Sequence, residues 1–362
     1  MGKQTPLYDK HVVMGAKMVD FGGWQMPLRY GSQIDEHHQV RNDAGMFDVS
    51  HMSVVDFTGP DTRAFFRKLF ANNVDRLQTA GKALYTCMLN ETGGVLDDLI
   101  VYFMDETWFR VVFNAATHDK DLAWVTEQVK SFDVEITEPS NVSMIAVQGP
   151  NAREKACSVF DEPISTTIAE LAPFTGVQMG ELFVSRTGYT GEDGFEIILP
   201  DSQVNDLWRS LYGVGVKPIG LGARDSLRLE AGMNLYGSDM DETTSPLESG
   251  LGWTVAREPE DREYIGRDAL EALRGEGVTR KFVGLILEEK GVLRSHQKIL
   301  VNGLESGEIT SGGFSPTLGK SIAFARVAKE TVGTCKVEIR GKLVTATVVK
   351  LPFVRNGKAV QH

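Results

Sequence analysis

The sequence predicts an α+β protein with an all-β C-terminal domain, and three observations carry that expectation. Through roughly the first two-thirds of the chain, short apolar strands paired as hairpins alternate with helical stripes. From Lys281 onward only short strands punctuated by glycines are left. The 362 residues exceed the length over which one core keeps growing, so two or three domains are expected.

Taken in order, residues 46–57 (MFDVSHMSVVDF) read as one strand with a polar kink, ended by Gly59-Pro60. A helix follows, with Asp61 as N-cap and Phe65, Phe66, Leu69 and Phe70 as an apolar stripe. Residues 83–89 and 96–103 read as a hairpin around Asn90, Gly93 and Gly94, whose glycines supply turn conformations. Residues 109–113 add a third strand, 120–129 a helix and 134–137 a further strand. This alternation suits an antiparallel α+β unit better than a parallel nucleotide-binding sheet. Residues 144–147 and the Gly149-Pro150 behind them, then a helix over 151–160, repeat the strand, Gly-Pro, helix order seen at 54–70. A charged connector at 257–277, with a short helix at 268–274, precedes strands at 282–287, 298–301, 307–310, 322–327, 336–339 and 344–349. Those six suit a small barrel or a jelly-roll.

Composition excludes several function classes. With 38 basic against 49 acidic residues the formal charge is -11, the wrong sign for neutralising phosphates, so no general nucleic-acid binding is expected. Cys87, Cys157 and Cys335 form no CxxC pair and suit a reducing compartment. The opening MGKQTPLYDKH carries no apolar leader and no run reaches membrane-spanning length, so a cytoplasmic protein without membrane partners is expected, a mature organellar form being equally compatible.

Some motifs are set aside. GFSPTLGKS at 313–321 ends like a phosphate loop, but its glycines are one residue too far apart and Pro316 disturbs the converging amides. Gly220-Leu221-Gly222 reads as a turn, without the third glycine or the following helix of a dinucleotide fingerprint. Asp35, Glu36, His37 and His38 are consecutive and cannot all meet one ion, so they read as a solvated helical face and no metal site is expected. HExxH, GxSxG and a Cys beside a His are all missing, which points to a substrate bringing its own reactivity.

Asp97 and Asp98 share a predicted strand, where alternation sends one to each face. RTGYTGEDGFE at 186–196 holds three glycines around Tyr189 and ends on Glu196, and GLGARDSLRLE at 220–230 adds Arg224 and Asp225 at the start of an amphipathic helix. An aromatic ring, a carboxylate and an arginine suit a flat amino-substituted heterocycle with an anionic tail: the ring stacks, the carboxylate accepts N–H bonds, the guanidinium grips a carboxylate. A loop with a plain Arg–carboxylate salt bridge has the same residue types.

With these residues laid out, the chain resembles the aminomethyltransferases of the glycine cleavage system along its whole length. The likeness is carried by TPL at 5–7, GAKMVDFGG at 15–23, RNDAGMFDVSHM at 41–52, NETGGVLDDL at 90–99, residues 185–196 and 220–232, YGSDMDE at 236–242 and ITSGGFSPTLG at 309–319. The resemblance implies a three-domain cloverleaf of antiparallel sheets around a central folate pocket. Its domains are 1–52 with 139–252 for folate, 53–138 with the catalytic Asp, a connector at 253–280 and a β-barrel or jelly-roll at 281–362. It implies transfer of the aminomethyl carbon from the lipoyl arm of an H-protein partner to tetrahydrofolate, a co-substrate, with release of ammonia. Asp98 then matches the catalytic acid, and Met52, Tyr85, Val112, Asn114, Tyr189, Glu196, Arg224 and Arg355 match folate-binding positions, with Arg294 on the lipoyl path. Asp97 is expected as a structural partner pointing away from the pocket. Two related readings are folate-dependent demethylases, which usually carry a flavin domain not read here, and an iron-sulfur assembly factor marked by a KGCYxGQ motif that this sequence lacks.

Overall fold

Strand pairing organises the chain around several sheets, seen in a computed structural model that describes residues 2–361. Two compact units emerge. The first takes residues up to Phe65 together with Asp75–Leu84 and Leu99–Asp225; the second takes Phe66–Val74, Tyr85–Asp98 and the chain from Ser226 onward.

In the first unit a six-stranded sheet runs in the order Gly176–Met179, Leu182–Ser185, Gly194–Pro200, Val142–Gln148, Gly45–Asp48, Lys217–Pro218. All its pairs are antiparallel except the last. The VSMIAVQ strand is nearly all apolar because it is central and covered on both faces. One face packs on the helix Asp201–Gly213, whose Val204, Leu207, Trp208 and Leu211 recur at helical spacing and are buried with Ile145, Val147 and Phe195. Each such side chain contributes roughly 1.5–3 kcal/mol on burial. A three-stranded sheet, Lys3–Gln4, Trp24–Arg29, Lys17–Phe21, completes the N-terminal region.

The predicted hairpin forms the edge of a five-stranded sheet ordered Ala83–Leu89, Val95–Asp105, Trp108–Phe113, Ser53–Thr58, Glu135–Thr137. Asn90 shapes its turn by accepting bonds from the amides of Thr92 and Gly94. The Gly-Pro repeat also has a structural counterpart: Gly59 and Gly149 have φ values of 141° and 137°, and each carbonyl accepts the amide three residues on as a helix begins.

The second unit holds a closed barrel, ordered Arg280–Leu287, Lys320–Ala328, Leu304–Ser315, Lys298–Val301, Thr334–Ile339, Lys342–Val349 and back to the first strand. Period-2 alternation puts Val283, Leu285 and Leu287 inside with Ala323, Ala325 and Val327, the alanines making room for the larger chains. Residues 316–319 of the GFSPTLGKS motif are the turn between two barrel strands, and donors of the motif go to the buried carboxylate of Glu230: Ser315 Oγ at 2.5 Å, Thr317 N at 3.0 Å.

Four readings need correction. Residues 46–57 form two strands in different sheets, because the buried Asp48 carboxylate accepts from Thr5 Oγ1 (2.6 Å), His11 (2.9 Å) and Ser50 N (2.9 Å) and turns the chain there. The helix expected over 151–160 is confined to Ala152–Cys157. The Asp35 to His38 run is not a solvated face: Glu36 and His37 are buried, and Glu36 accepts from the amides of Tyr30, Gly31 and Gly220 at 2.7, 2.9 and 2.8 Å. A helix does follow Gly220, at Leu221–Glu230, so Arg224 sits within its opening turns. No helix among the described residues is long and apolar enough to cross a membrane.

Candidate active site

The RTGYTGEDGFE loop is held from beneath. Gln148 Nε2 donates to the Thr187 carbonyl at 3.1 Å while its Oε1 accepts from Thr190 Oγ1 at 2.9 Å. A Cβ on Gly188 would lie 1.9 Å from that Gln148 oxygen, so only glycine allows the approach. Arg41 secures the other limb, donating from Nη1 to the Thr190 carbonyl and to Glu192 Oε1, both at 2.7 Å, in a pair with side chains 4% and 5% exposed. The loop thereby presents Tyr189, and the Arg224 guanidinium lies 4.6 Å from the centre of its ring.

Glu196 follows on its strand. Its carboxylate accepts from Thr187 Oγ1 at 2.5 Å, and Thr187 belongs to a hydroxyl cluster with Ser185 and Tyr102 at 2.8 and 3.0 Å. Burial raises the Glu196 pKa above the ordinary glutamate value, against the opposing pull of the Thr187 bond and the Arg224 charge. Burial, with the Glu196 charge behind it, also pushes the Tyr102 phenol up. Tyr189, Glu196 and Arg224, with Phe47, Val49, Ala146, Gln148 and Thr190, line a small concavity.

Met52, Val112 and Asn114 belong to the same unit but not to that lining. Val54 pairs with Val112 and Ser53 with Phe113, so Met52 and Asn114 each adjoin the same end of this strand pair in sequence. A larger cavity of about 440 Å³ lies further along this unit beside Val54, Asp56, Arg110, Gln178 and Ile198. Its arginine is already spent on a two-pronged bond to Asp56 and a third to Gln178.

In the second unit Asp98 and Asp97 sit on consecutive strand positions, Asp97 fully buried and Asp98 half-buried, as alternation requires. Tyr85 donates to Asp98 Oδ2 at 2.6 Å and stacks on Trp253, their rings 5.4 Å apart and 26° from parallel. Cys87 lies inward of them, its thiol pushed up to about 12 chiefly by burial. Arg294 and Arg355 are exposed, Arg294 in a loop leading to a barrel strand and Arg355 in a short hairpin near the C-terminus. Among those residues no three His, Cys, Asp or Glu side chains group to hold a metal ion.

Sequence reasoning passed over Arg41, Gln148, Thr187 and Trp253. Arg41 and its partner Glu192 lie 151 positions apart, and no local pattern joins them.

Two family models match, the GCVT N-terminal domain over residues 7–258 and the glycine cleavage T-protein C-terminal barrel domain over residues 280–355. The chain belongs to the glycine cleavage T-protein family. A solved structure of glycine cleavage system aminomethyltransferase T from Bartonella henselae is similar across 100% of both chains, with 34% identity and a TM-score of 0.93. Heterotetrameric sarcosine oxidase from Corynebacterium sp. U-96 matches over 58% of this chain and 93% of its own at 12% identity and a TM-score of 0.35, too little for any argument. Within the T-protein family fold, the mixed α+β region lies inside the N-terminal match and the closed barrel inside the C-terminal one.

Proposed function

We propose that this chain takes the aminomethyl carbon from the lipoyl arm of an H-protein and delivers it to tetrahydrofolate as co-substrate, releasing ammonia and leaving methylenetetrahydrofolate and a dihydrolipoyl arm. The aminomethyltransferase class follows from family membership. What carries the finer reading is the likeness over the full length to the Bartonella henselae aminomethyltransferase.

The atoms balance. The carbon loses its bonds to lipoyl sulfur and to amine nitrogen and gains bonds to two folate nitrogens, whose hydrogens end on ammonia and thiol. Positive charge builds on carbon or on the folate nitrogen along the way. A fixed carboxylate stabilises it by roughly 4 kcal/mol at about 4 Å with an effective dielectric near 20. Asp98 is assigned that part, with Tyr85 holding its Oδ2 in one orientation. Whether the carboxylate also accepts the nitrogen's proton, the effect on rate has the same sign.

The concavity itself measures only about 10 Å³, and it is the residue types of its lining that suit a flat ring. Tyr189 offers an aromatic face, Glu196 an acceptor for ring N–H groups, and Arg224 a cation for an anionic portion. Met52, Val112, Asn114 and Arg355 are retained as folate-binding positions and Arg294 as the lipoyl-path residue on the family pattern alone.

Single-turnover reaction of aminomethyl-lipoyl H-protein with and without tetrahydrofolate tests the proposal. Folate-dependent methylenetetrahydrofolate and ammonia are expected. Folate binding without product would remove the transferase reading in favour of the demethylase or the assembly-factor reading.

A further inference from the structure

Two buried histidines of the first unit are treated oppositely by their surroundings. His11 has both ring nitrogens engaged, Nε2 with Asp48 at 2.9 Å and Nδ1 with Tyr30 at 2.7 Å. His51 is 2% exposed, its ring edge-on to Phe21 with centroids 5.6 Å apart, yet Nδ1 meets no hydrogen-bonding partner among the described residues. An orphaned buried nitrogen of this kind costs about 1–3 kcal/mol unless something outside the chain completes it. Among the described residues the bonds that Asp48 accepts come from Thr5, His11 and Ser50 and not from His51.

His51 is not itself in the lining of the concavity, but its surroundings restrict what could complete it. The residue lies two positions beyond Val49 and four beyond Phe47, which line the concavity, and the charge of Arg224, another lining residue, bears directly on the imidazole. Burial first and Arg224 second push the imidazole pKa down to about 4, with Asp48 opposing, so the ring is neutral. A cationic ligand group is repelled by Arg224, and an anionic one is taken by Arg224 itself. An uncharged polar group is left for the imidazole.

We propose that His51 is a ligand-binding residue of this site, its Nδ1 forming a hydrogen bond with an uncharged polar group of the bound heterocyclic co-substrate. This rests on the folate reading above. Two side chains separate the ring nitrogens: asparagine sets a polar atom near the Nδ1 position, glutamine near Nε2.

Tetrahydrofolate binding is measured by calorimetry on the unmodified protein, His51→Leu, His51→Asn and His51→Gln, with thermal unfolding followed in parallel. Nitrogen NMR of the His51 ring is recorded with and without tetrahydrofolate. The expected result is about a fivefold weaker affinity for His51→Leu, in keeping with the loss of one neutral hydrogen bond. Recovery is expected in His51→Asn and not in His51→Gln, with a shift of the Nδ1 resonance on binding. Unchanged affinity in His51→Leu, equal behaviour of Asn and Gln, or an unmoved Nδ1 resonance overturns the assignment while leaving the folate reading intact. An unmodified protein that binds no tetrahydrofolate overturns both. One that binds it through His51 but forms no methylenetetrahydrofolate upholds the assignment and sinks the transferase reading.

Discussion

The phenol of Tyr85 donates a 2.6 Å hydrogen bond to Oδ2 of Asp98, so the proposed catalytic carboxylate is held by a neighbour that is itself stacked on Trp253. Asp98→Asn should cut single-turnover rate at least about a hundredfold while tetrahydrofolate affinity stays within a few-fold, and Tyr85→Phe should cost about tenfold by loosening the carboxylate. Asp97→Asn, at the fully buried position, should lower stability more than rate. If Asp97→Asn proved the slower enzyme, the roles of the two aspartates would have to be exchanged.

The folate-binding role proposed for Glu196 makes affinity depend on pH with a definite sign. Its pKa is raised by burial, so on acidification it takes a proton at higher pH than an ordinary glutamate and stops accepting ring N–H bonds as an anion. Affinity should fall as pH drops through that raised value, and Glu196→Gln should bind weakly at every pH with a flat profile. A sloping profile in the variant would place the titrating group elsewhere.

Arg41 and Glu192 form a buried pair that fixes the loop carrying Tyr189. Removing one partner strands the other charge, so Arg41→Met should cost about 3–5 kcal/mol in denaturant unfolding. Folate affinity should weaken with it, because Tyr189 loses its platform. Loss of stability with folate affinity untouched would mean that the loop does not position the ring site.

Glu36 satisfies three amides that the helix and turn geometry leaves open, those of Tyr30, Gly31 and Gly220. Glu36→Ala should destabilise the first unit by several kcal/mol, each stranded amide costing about 1–3 kcal/mol. Hydrogen exchange at Gly220 and Gly31 should accelerate before the barrel amides respond. Uniform acceleration would instead mean a global loss.

His118 bridges Glu138 and Asp119 at 2.7 Å each. Burial pulls its pKa down, but the two carboxylates outweigh burial and leave it raised. A raised histidine pKa adds stability that is complete below the unfolded value near pH 6.5 and is lost as pH rises through the folded value. The melting-temperature advantage over His118→Gln should therefore be larger near pH 5.5 than near pH 9. An advantage that grew with pH would show that the neutral ring makes the contact.

Local chemistry carries most of the architecture. The Asn90 turn, both Gly-Pro strand endings and the six barrel strands rest on side-chain alternation and backbone freedom that neighbours in sequence dictate. Aligned motifs brought Asp98, Tyr189, Glu196 and Arg224 forward for the same reason, each being embedded in a dense local pattern. Tertiary structure decided which distant groups meet. Closure of the barrel, burial of Glu36 against Gly220, and the Arg41 and Glu192 pair depend on partners up to 184 residues away. Such contacts form only after the chain has met the entropy of closing long loops, and no periodicity within a short window records which partner will be there.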